Sequence, residues 1–330
     1  MNEQPLVSVL ITVYNDENHI AQAIESIQQQ TYQHFEIVVV DDGSTDGTAH
    51  ILTVFAGEDA RIRVIRQPNG GTANAANNGI QFCKGKYIAR LDSDDISYPN
   101  RLQEEVNFLE AHPEVGLVGG GCHIADANGR IIGTRNIITA NPSKTLLNRC
   151  IYQQSDVMFR RDVLKKLQSG IVYRSKFKGA EDYDLWLRIS EVAAIAKLDS
   201  IFGIWKLNTG GYTLSRKQEQ LEAIRELKKM AKVRRKGKHD WYDEFRPKVK
   251  DAQHRTQMKN YAYDKVVAQV LLKETRTSDV REQLKKYKAD QESWKAVNQW
   301  YYLSFLPKPV LQLLFGCREY LLNNSFIELR

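Results

Sequence analysis

The sequence has few residues of the kinds that build metal clusters, disulfide frameworks or membrane spans. Its 330 residues include four cysteines and seven histidines, and neither set shows metal-ligand spacing. Scattered cysteines indicate reduced thiols in a cytoplasmic protein. No apolar run approaches the roughly 20 residues that a membrane-spanning helix needs. The start, "MNEQPLVSVLITVYN", has no basic segment before its apolar run, so we expect a first strand there and not a signal peptide.

Charge is unevenly distributed along the chain. Residues 1–214 hold 21 Lys and Arg against 25 Asp and Glu, a net charge of −4, whereas residues 215–330 hold 26 against 15, a net charge of +11. We therefore expect a first domain over residues 1–214 and a basic, mainly helical region over residues 215–330. The basic region favours an acidic partner, which is either anionic lipid, an acidic polymer or nucleic acid. No RNA- or DNA-binding motif is present, which argues against nucleic acid.

Short apolar runs alternate with amphipathic segments through the first domain. The runs are "LVSVLITV", "FEIVVV", "RIRVIR", "YIAR" and "EVGLV". This alternation predicts an α/β fold with a mostly parallel central sheet and helices on both faces. In such sheets ligands bind outside the carboxyl ends of the strands. Asn128-Gly129 lies between two alternating runs and predicts a β-hairpin.

Acidic residues follow two of these predicted strands. Asp41 and Asp42 end one strand, and Asp92 and Asp94 end another. In an extended segment, residues two apart lie on the same side, so Asp92 and Asp94 share a face. Paired carboxylates suit a hard divalent cation such as Mg²⁺ or Mn²⁺. The alternative is a capped loop whose carboxylates accept from backbone N–H groups, and this is the better interpretation of an isolated Asp-x-Asp pair.

Five motifs that occur in order along the chain favour the cation site over the capped loop. They are "VSVLITVYND", "FEIVVVDDGSTDGT", "NGGTANAANNGI", "GKYIARLDSDDISYPNRLQEEVNFLEAHPEVGLVGG" and "EDYDLWLR". Together they strongly resemble the family 2 glycosyltransferases, which are inverting enzymes with the GT-A fold of nucleotide-diphospho-sugar transferases. The resemblance covers roughly residues 5–210.

The resemblance implies a donor site at the strand ends. Its expected nucleotide- and donor-binding residues are Thr12, Val13, Tyr14, Asn15, Asp41, Asp42, Asn77, Asp92 and Ser93. Asp42 resembles the carboxylate that accepts from the base N–H, which favours uracil, and Asp41 could exchange roles with it. Asn77 resembles the side chain that meets the diphosphate or ribose. The family often has Arg immediately before this position, where the sequence has Ala76.

The resemblance also implies the chemical groups. Asp92 would contact the ribose or donor sugar, and Asp94 would be the direct ligand of a divalent cation, Mn²⁺ or Mg²⁺. Asp182 matches the general base that removes the proton of the attacking hydroxyl, and Glu181 would orient the acceptor or the base. The alternative for both is a favourable interaction of acidic residues with a helix N-terminus.

Residues on the acceptor side are predicted less directly. The segment "YQQSDVMFRR" resembles the part of the family that lines the acceptor, where a His is frequent, and Gln153 and Ser155 are the expected residues here. Trp186 is either a stacking platform for a sugar or a buried core residue.

These expectations indicate an inverting hexosyltransferase that transfers sugar from a nucleotide-diphospho-sugar, UDP-linked, to a glycan or lipid-linked glycan of the cell envelope. The alternatives are a non-catalytic nucleotide-sugar-binding subunit and a sugar nucleotidyltransferase. A sugar nucleotidyltransferase needs a Gly-rich basic loop near the N-terminus to bind a triphosphate. The corresponding segment here, "TVYNDENHI", has neither glycine nor lysine, which argues against this alternative. The basic region favours a peripheral position on the inner face of the cytoplasmic membrane. "WYYLSFLPKPVLQLLFGCREYLL" either packs on the first domain, lies in a membrane interface or forms a homo-oligomer contact.

Overall fold

A computed structural model of the chain describes residues 4–167, 170–207, 217–246, 267, 271, 276–285, 288 and 298–311. The strands are β1 Val7–Val13, β2 Phe35–Asp41, β3 Ile62–Arg66, β4 Tyr87–Asp92, β5 Ile96–Ser97, β6 Val115–Ala125, β7 Ile131–Arg135, β8 Val157–Arg160 and β9 Ala194–Lys206. The α-helices are α1 Ile20–Gln28, α2 Thr48–Glu58, α3 Thr72–Ile80, α4 Arg101–Ala111, α5 Pro142–Leu146, α6 Glu181–Val192, α7 Lys217–Arg234 and α8 Thr277–Lys285. Two 3-10 helices, Gln154–Asp156 and Arg161–Lys166, flank β8.

The strands form one sheet in the order β3-β2-β1-β4-β8-β6-β9-β5, with β7 beside β6. Strands β3, β2, β1 and β4 are parallel, and β8 runs antiparallel to both β4 and β6. The structure therefore confirms the predicted α/β fold with a mostly parallel sheet. The predicted hairpin is also present, since β6 and β7 pair across a turn in which Gly129 has φ +78°.

Alternation along the strands builds a core on each face of the sheet. In β1, Val9 and Ile11 cluster with residues of α1 and α4, whereas Leu10 clusters with residues of α3 and α6. The α3 helix packs closely because it is rich in small residues. A Cβ added to Gly79 would lie 2.4 Å from Leu10 Cδ1. These two layers hold the carboxyl ends of the strands in a fixed arrangement.

The described residues fall into two compact units. The first comprises those of Met1–Cys122, Arg135–Trp205 and Glu222–Pro247, and the second those of His123–Thr134, Lys206–Leu221 and Lys248–Arg330. The boundary expected at residue 214 stays a prediction. In the structure the range Glu222–Pro247 groups with the first unit. Among the described residues, none of the helices combines the length and apolar composition that crossing a membrane would require.

The basic α7 helix has two different faces. Ala223, Leu227 and Met230 are buried, whereas Arg225 and Lys232 are exposed. Its packed face explains why residues 222–234 of this charged helix are part of the first unit.

In the second unit, the described stretch 298–311 buries Trp300 and Leu311 and leaves Tyr302 and Phe305 largely exposed. Arg281 Nη1 of α8 donates to the Ser304 carbonyl at 2.6 Å, and its guanidinium lies 4.9 Å from the Phe305 ring centroid. The remainder of the apolar segment that runs to Leu322 lies outside the described residues.

Candidate active site

The register of the parallel strands brings the expected donor residues to one edge of the sheet. Thr12 pairs with Asp92, and Val13 pairs with Asp41. Parallel strands end at the same edge, so the carboxylates that follow β2 and β4 flank the end of β1. This edge is the candidate active site.

The loop after β1 presents one exposed aromatic side chain. Tyr14 is 49% exposed, whereas Thr12 and Val13 are nearly buried. Asn15 has φ +50°, and its Oδ1 accepts a 2.7 Å hydrogen bond from Thr45 N. That bond ties the loop after β1 to the loop after β2. Of the expected nucleoside-contacting residues in this loop, Tyr14 and Asn15 are therefore exposed, whereas Thr12 and Val13 are not.

The two carboxylates after β2 have different surroundings. Asp42 Oδ1 accepts from Gln67 Nε2 at 2.7 Å and from Gly70 N at 2.9 Å, and its Oδ2 accepts from Gly71 N at 2.7 Å. An ionised carboxylate has about four acceptor positions, so about one remains for a ligand. Asp41 Oδ1 accepts from Ser44 N at 2.8 Å, and its buried Oδ2 lies 3.5 Å from Arg66 Nε. Asp42 thus shapes the loop before α3, in addition to any contact with a base.

Asn77 does not present its amide to the strand ends. Its Nδ2 donates to the Tyr173 carbonyl and its Oδ1 accepts from Tyr173 N, both at 2.8 Å. This paired bond anchors the segment before α6 to α3. In the structure the side chain expected to meet diphosphate or ribose has a structural partner instead.

The turn after β4 is held by the 3-10 helix before β8. Gln154 Nε2 donates to Asp92 Oδ1 at 2.5 Å. Ser155 Oγ accepts from Asp92 N at 3.0 Å and donates to Asp95 Oδ2 at 2.5 Å. Ser155 is therefore a support of the acidic turn, and its hydroxyl faces that turn rather than an acceptor. Ser93 Oγ donates to Asp16 Oδ2 at 2.6 Å, which fixes the other side of the turn.

Asp94 has the electrostatic surroundings of a cation ligand. Burial, and then the negative charges of Asp92 and Asp16, raise the pKa of Asp94 to about 7. Within the described ranges, no three His, Cys, Asp or Glu side chains are grouped as a metal site. A divalent cation fits here if Asp94 and the half-buried Asp92 supply the protein ligands and phosphate oxygens of a substrate supply the others.

The acidic N-terminus of α6 faces the same edge. Tyr183 N donates to Asp182 Oδ1 at 2.7 Å. Burial, and then the charge of Asp92, raise the pKa of Asp182 to about 6, although the Tyr183 bond and the positive charge of Arg135 lower it. Burial also raises the pKa of Glu181 to about 7, and its buried Oε2 has no hydrogen-bond partner in the described part of the chain. Two carboxyl groups whose pKa values lie close to neutral pH suit acid–base chemistry.

A buried ion network fixes α6. The carboxylate of Asp184 accepts from Arg174 Nε at 2.8 Å and from Arg188 Nε at 2.9 Å. Arg174 Nη1 also donates to Asp240 at 2.7 Å, and Arg234 of α7 donates to the same Asp240 oxygen at 2.5 Å. The network links α6 to α7 and so holds Asp182 in position. Asp184 is thus a structural ion partner, whereas Asp182, two residues earlier, is half-buried at the strand ends.

Trp186 is a core residue. It is fully buried, and its ring centroid lies 5.8 Å from that of Phe159. A sugar cannot reach this ring, so the interpretation of Trp186 as a stacking platform is wrong and the core alternative is correct. Gln153 stays at the site, where its Oε1 accepts from Arg135 Nη1 at 3.1 Å.

Sequence reasoning missed two arginines at this edge. Arg90 is fully buried, donates to the Leu10 carbonyl at 2.8 Å, and places Nη2 3.9 Å from Asp92 Oδ1. Arg135, at the end of β7, lies between Gln153 and Cys150. Arg90 precedes Asp92 by two residues in an otherwise apolar strand, and an unexplained charge in such a run is the available signal. No comparable sequence signal marks Arg135, because its position depends on pairing between distant segments.

The sequence matches one known protein family and individual members of it. A family model described as glycosyl transferase family 2 matches residues 8–168. EpsE of Bacillus subtilis, described as a glycosyltransferase, is 36% identical over 195 residues, which are 58% of this chain and 69% of EpsE. The hyaluronan synthase of Pasteurella multocida is 29% identical over 201 residues, which are 61% of this chain but 20% of that enzyme.

Solved structures show the same fold. S. aureus TarS 1-349 in complex with UDP-GlcNAc has a TM-score of 0.53 and 18% identity, with 90% of this chain and 79% of that chain covered. The mannosyltransferase PcManGT of Pyrobaculum calidifontis, solved with GDP-Man and Mn²⁺, has a TM-score of 0.56 and 16% identity, with 97% and 88% covered. The likeness supports the GT-A architecture, and the sequence matches specify the family. The chain belongs to the family 2 glycosyltransferases.

Proposed function

We propose that this chain is an inverting glycosyltransferase that transfers a sugar from a UDP-sugar to an acceptor hydroxyl during synthesis of a cell-surface polysaccharide or glycoconjugate. One observation carries the proposal: the acidic turn after β4 and the N-terminus of α6 converge at one edge, where the charge of Asp92 raises the pKa of Asp182. The names of the relatives support it, since hyaluronan synthase makes a polysaccharide and TarS was solved with a UDP-sugar.

The donor would lie across the ends of β1 and β4. Tyr14 is an exposed side chain available to the nucleoside, and Asp42 keeps about one acceptor position for the imide N–H of uracil. Asp94, supported by Asp92, would hold a divalent cation, Mn²⁺ or Mg²⁺. When bound there, that cation would supply positive charge to stabilise the departing diphosphate. The solved complex of PcManGT with Mn²⁺ supports this assignment.

Asp182 would act as the general base. Its Oδ1 accepts from Tyr183 N, which leaves Oδ2 to take the proton of the attacking hydroxyl. Attack opposite the leaving diphosphate in one step inverts the anomeric carbon. Glu181, with a pKa raised to about 7, would orient the acceptor as a hydrogen-bond partner.

A transfer assay tests the proposal. UDP-, GDP- and dTDP-sugars are first screened by thermal shift with Mn²⁺, because only ligands of the folded state raise stability. The best donor is then assayed for hydrolysis and transfer with the wild type and Asp182→Asn. We expect the variant to lose about 10²–10⁴-fold in kcat, whereas Asp162→Asn, an exposed control carboxylate, keeps full rate. Full activity of Asp182→Asn, or a product with retained anomeric configuration by proton NMR, would refute the mechanism.

The exposed cations of α7 support a peripheral membrane position near a lipid-linked acceptor. Arg225 and Lys232 are exposed on the helix, and Lys236 is exposed just after it. Each basic residue near an anionic leaflet contributes about 1 kcal/mol. The protein should therefore co-sediment with phosphatidylglycerol vesicles and not with phosphatidylcholine vesicles. Replacing these three residues with Gln should release it, and equal sedimentation of the triple variant would refute this surface.

A further inference from the structure

Arg135 is a half-buried cation held in a fixed orientation. Its Nη1 donates to Gln153 Oε1 at 3.1 Å, and its Nη2 donates to the Cys150 carbonyl at 2.9 Å. Both partners are neutral. An arginine has five N–H donors, and these two bonds use two of them, so three N–H groups can still bind a ligand. No carboxylate of the described chain lies within ion-pair distance of it. The buried arginines around α6, by contrast, are each paired with Asp184, Glu191 or Asp240.

A second cation lies nearby. Lys197 of β9 is half-buried, and its Nζ lies 5.7 Å from the centroid of the Tyr152 ring. Burial lowers the pKa of Lys197 to about 8; the buried carboxyl of Asp156 opposes this, and the charge of Arg135 adds to it. Arg135 binds the Cys150 carbonyl and Lys197 lies over the ring of Tyr152, so the two like charges flank one short segment, with partial compensation from Asp156. Such an arrangement is favourable to a bound anion.

This region adjoins the candidate base Asp182. The charge of Arg135 lowers the pKa of Asp182, so the guanidinium lies within electrostatic reach of the carboxylate that would take the acceptor proton. The acidic turn that would face the donor diphosphate is held by Gln154, and the neighbouring Gln153 binds Arg135. Adjacent glutamines thus contact the acidic turn and Arg135.

We infer that Arg135, together with Lys197, binds an anionic group of the acceptor, so that the enzyme glycosylates an anionic glycan. This inference rests on the proposed function and specifies its acceptor class. The anionic group is a carboxylate, as in a uronic acid, or a phosphate, as in a polyol phosphate, because both match the two-pronged geometry of a guanidinium. Arg135 is then a specificity-determining residue rather than a part of the donor site.

Matched acceptors test the inference. Wild type, Arg135→Gln, Arg135→Lys and the control Lys84→Gln are assayed with the best donor on three acceptors: p-nitrophenyl glucoside, its 6-phosphate and p-nitrophenyl glucuronide. Binding of the same compounds in the presence of UDP is measured by calorimetry. We expect the wild type to favour one or both anionic acceptors by about tenfold or more, in kcat/KM or in affinity. A preference for the glucuronide identifies the carboxylate, and one for the 6-phosphate identifies the phosphate.

The variants separate specificity from folding and from donor chemistry. Arg135→Gln should reduce the anionic preference to near unity, because rate and affinity fall more for the anionic acceptors than for the neutral glucoside, and Arg135→Lys should keep part of the preference. Lys84→Gln removes one exposed positive charge and should change nothing. If the wild type shows no anionic preference in rate or in binding, the inference is overturned. If it still hydrolyses the donor in that case, the proposed function stands. Equal losses on neutral and anionic acceptors would also overturn it. If the wild type hydrolyses no donor, both proposals fail.

Discussion

Gln154 Nε2 donates a 2.5 Å hydrogen bond to Asp92 Oδ1, which joins the 3-10 helix before β8 to the end of β4. The bond spans 62 residues of sequence and occupies one oxygen of Asp92. Because Arg90 Nη2 lies 3.9 Å from that same oxygen, Oδ2 is the oxygen left for a ligand. The amide therefore orients the carboxylate that would contact the donor.

Removing this amide should weaken catalysis without unfolding the protein. Gln154→Leu keeps the side-chain bulk but leaves Asp92 without its donor. The loss of one hydrogen bond to a charged group, about 1.5–3 kcal/mol, should lower kcat/KM for the donor by roughly 10- to 100-fold. Gln103→Leu is the control, since the Gln103 side chain donates to Asn107 Oδ1 on the exposed face of α4. An unchanged kcat/KM in Gln154→Leu would show that Asp92 needs no such support.

The pKa of Asp182 predicts the acid side of the pH profile. Burial and the charge of Asp92 raise this pKa to about 6, and a general base works only when ionised. We expect kcat/KM, which reports the ionisation of the free enzyme, to rise with pH through about 6 and to level off above it. The small residual rate of Asp182→Asn should lack this step. A profile whose acid limb is centred near pH 4 would mean that another group is the base.

Asp94 predicts a dependence on divalent cations. EDTA should abolish transfer, and Mn²⁺ or Mg²⁺ should restore it. Because burial, Asp92 and Asp16 raise the pKa of Asp94 to about 7, protons compete with the cation, and half-saturation should require more metal at pH 6 than at pH 8. Asp94→Asn should raise the required concentration at both values, while Asp162→Asn should not. Full activity after EDTA treatment would contradict this role.

The Asp184 network predicts a large effect on stability. Asp184→Ala leaves Arg174 and Arg188 without their shared carboxylate in a buried site, which should cost about 3–5 kcal/mol. The thermal midpoint should fall by on the order of 10 °C, whereas Asp162→Ala should leave it unchanged.

The Asp184 network also predicts how the stability of the protein changes with pH. Burial opposes ionisation of Asp184, but Arg188 and Arg174 hold its pKa below the usual range. Its contribution is therefore present above the unfolded pKa of about 4 and is lost as pH falls through the lower folded value. Asp184→Ala should thus show a weaker acid-dependent loss of midpoint than the wild type. Identical acid dependence in the two proteins would contradict the ion-pair account.

Local patterns predicted the sheet, but distant partners decided several side-chain roles. Strands β1, β2 and β4 follow from apolar runs, and the meeting of the acidic ends of β2 and β4 at one edge follows from the parallel order. Strand β8 was not predicted, because "YQQSDVMFRR" carries no pattern that reveals insertion between β4 and β6. Long-range pairing likewise gave Asn77 a partner 96 residues away and gave Ser155 one 63 residues away. The resemblance to the family motifs implied substrate contacts for both.

Burial explains the remaining differences. Trp186 lies among apolar residues in "DYDLWLR", and only the packing of α6 on β8 shows that its ring is inaccessible. Arg135 is an ordinary strand residue in the sequence. Its importance appears when β7 brings it beside Gln153 and within reach of Asp182.

A crystal structure with UDP and Mn²⁺ tests the central claim most directly, because manganese can be located by its anomalous scattering. The account predicts an anomalous peak in direct contact with Asp94 and with oxygens of the diphosphate, and a nucleoside beside Tyr14. A peak elsewhere, or a diphosphate bound away from the turn after β4, would contradict it.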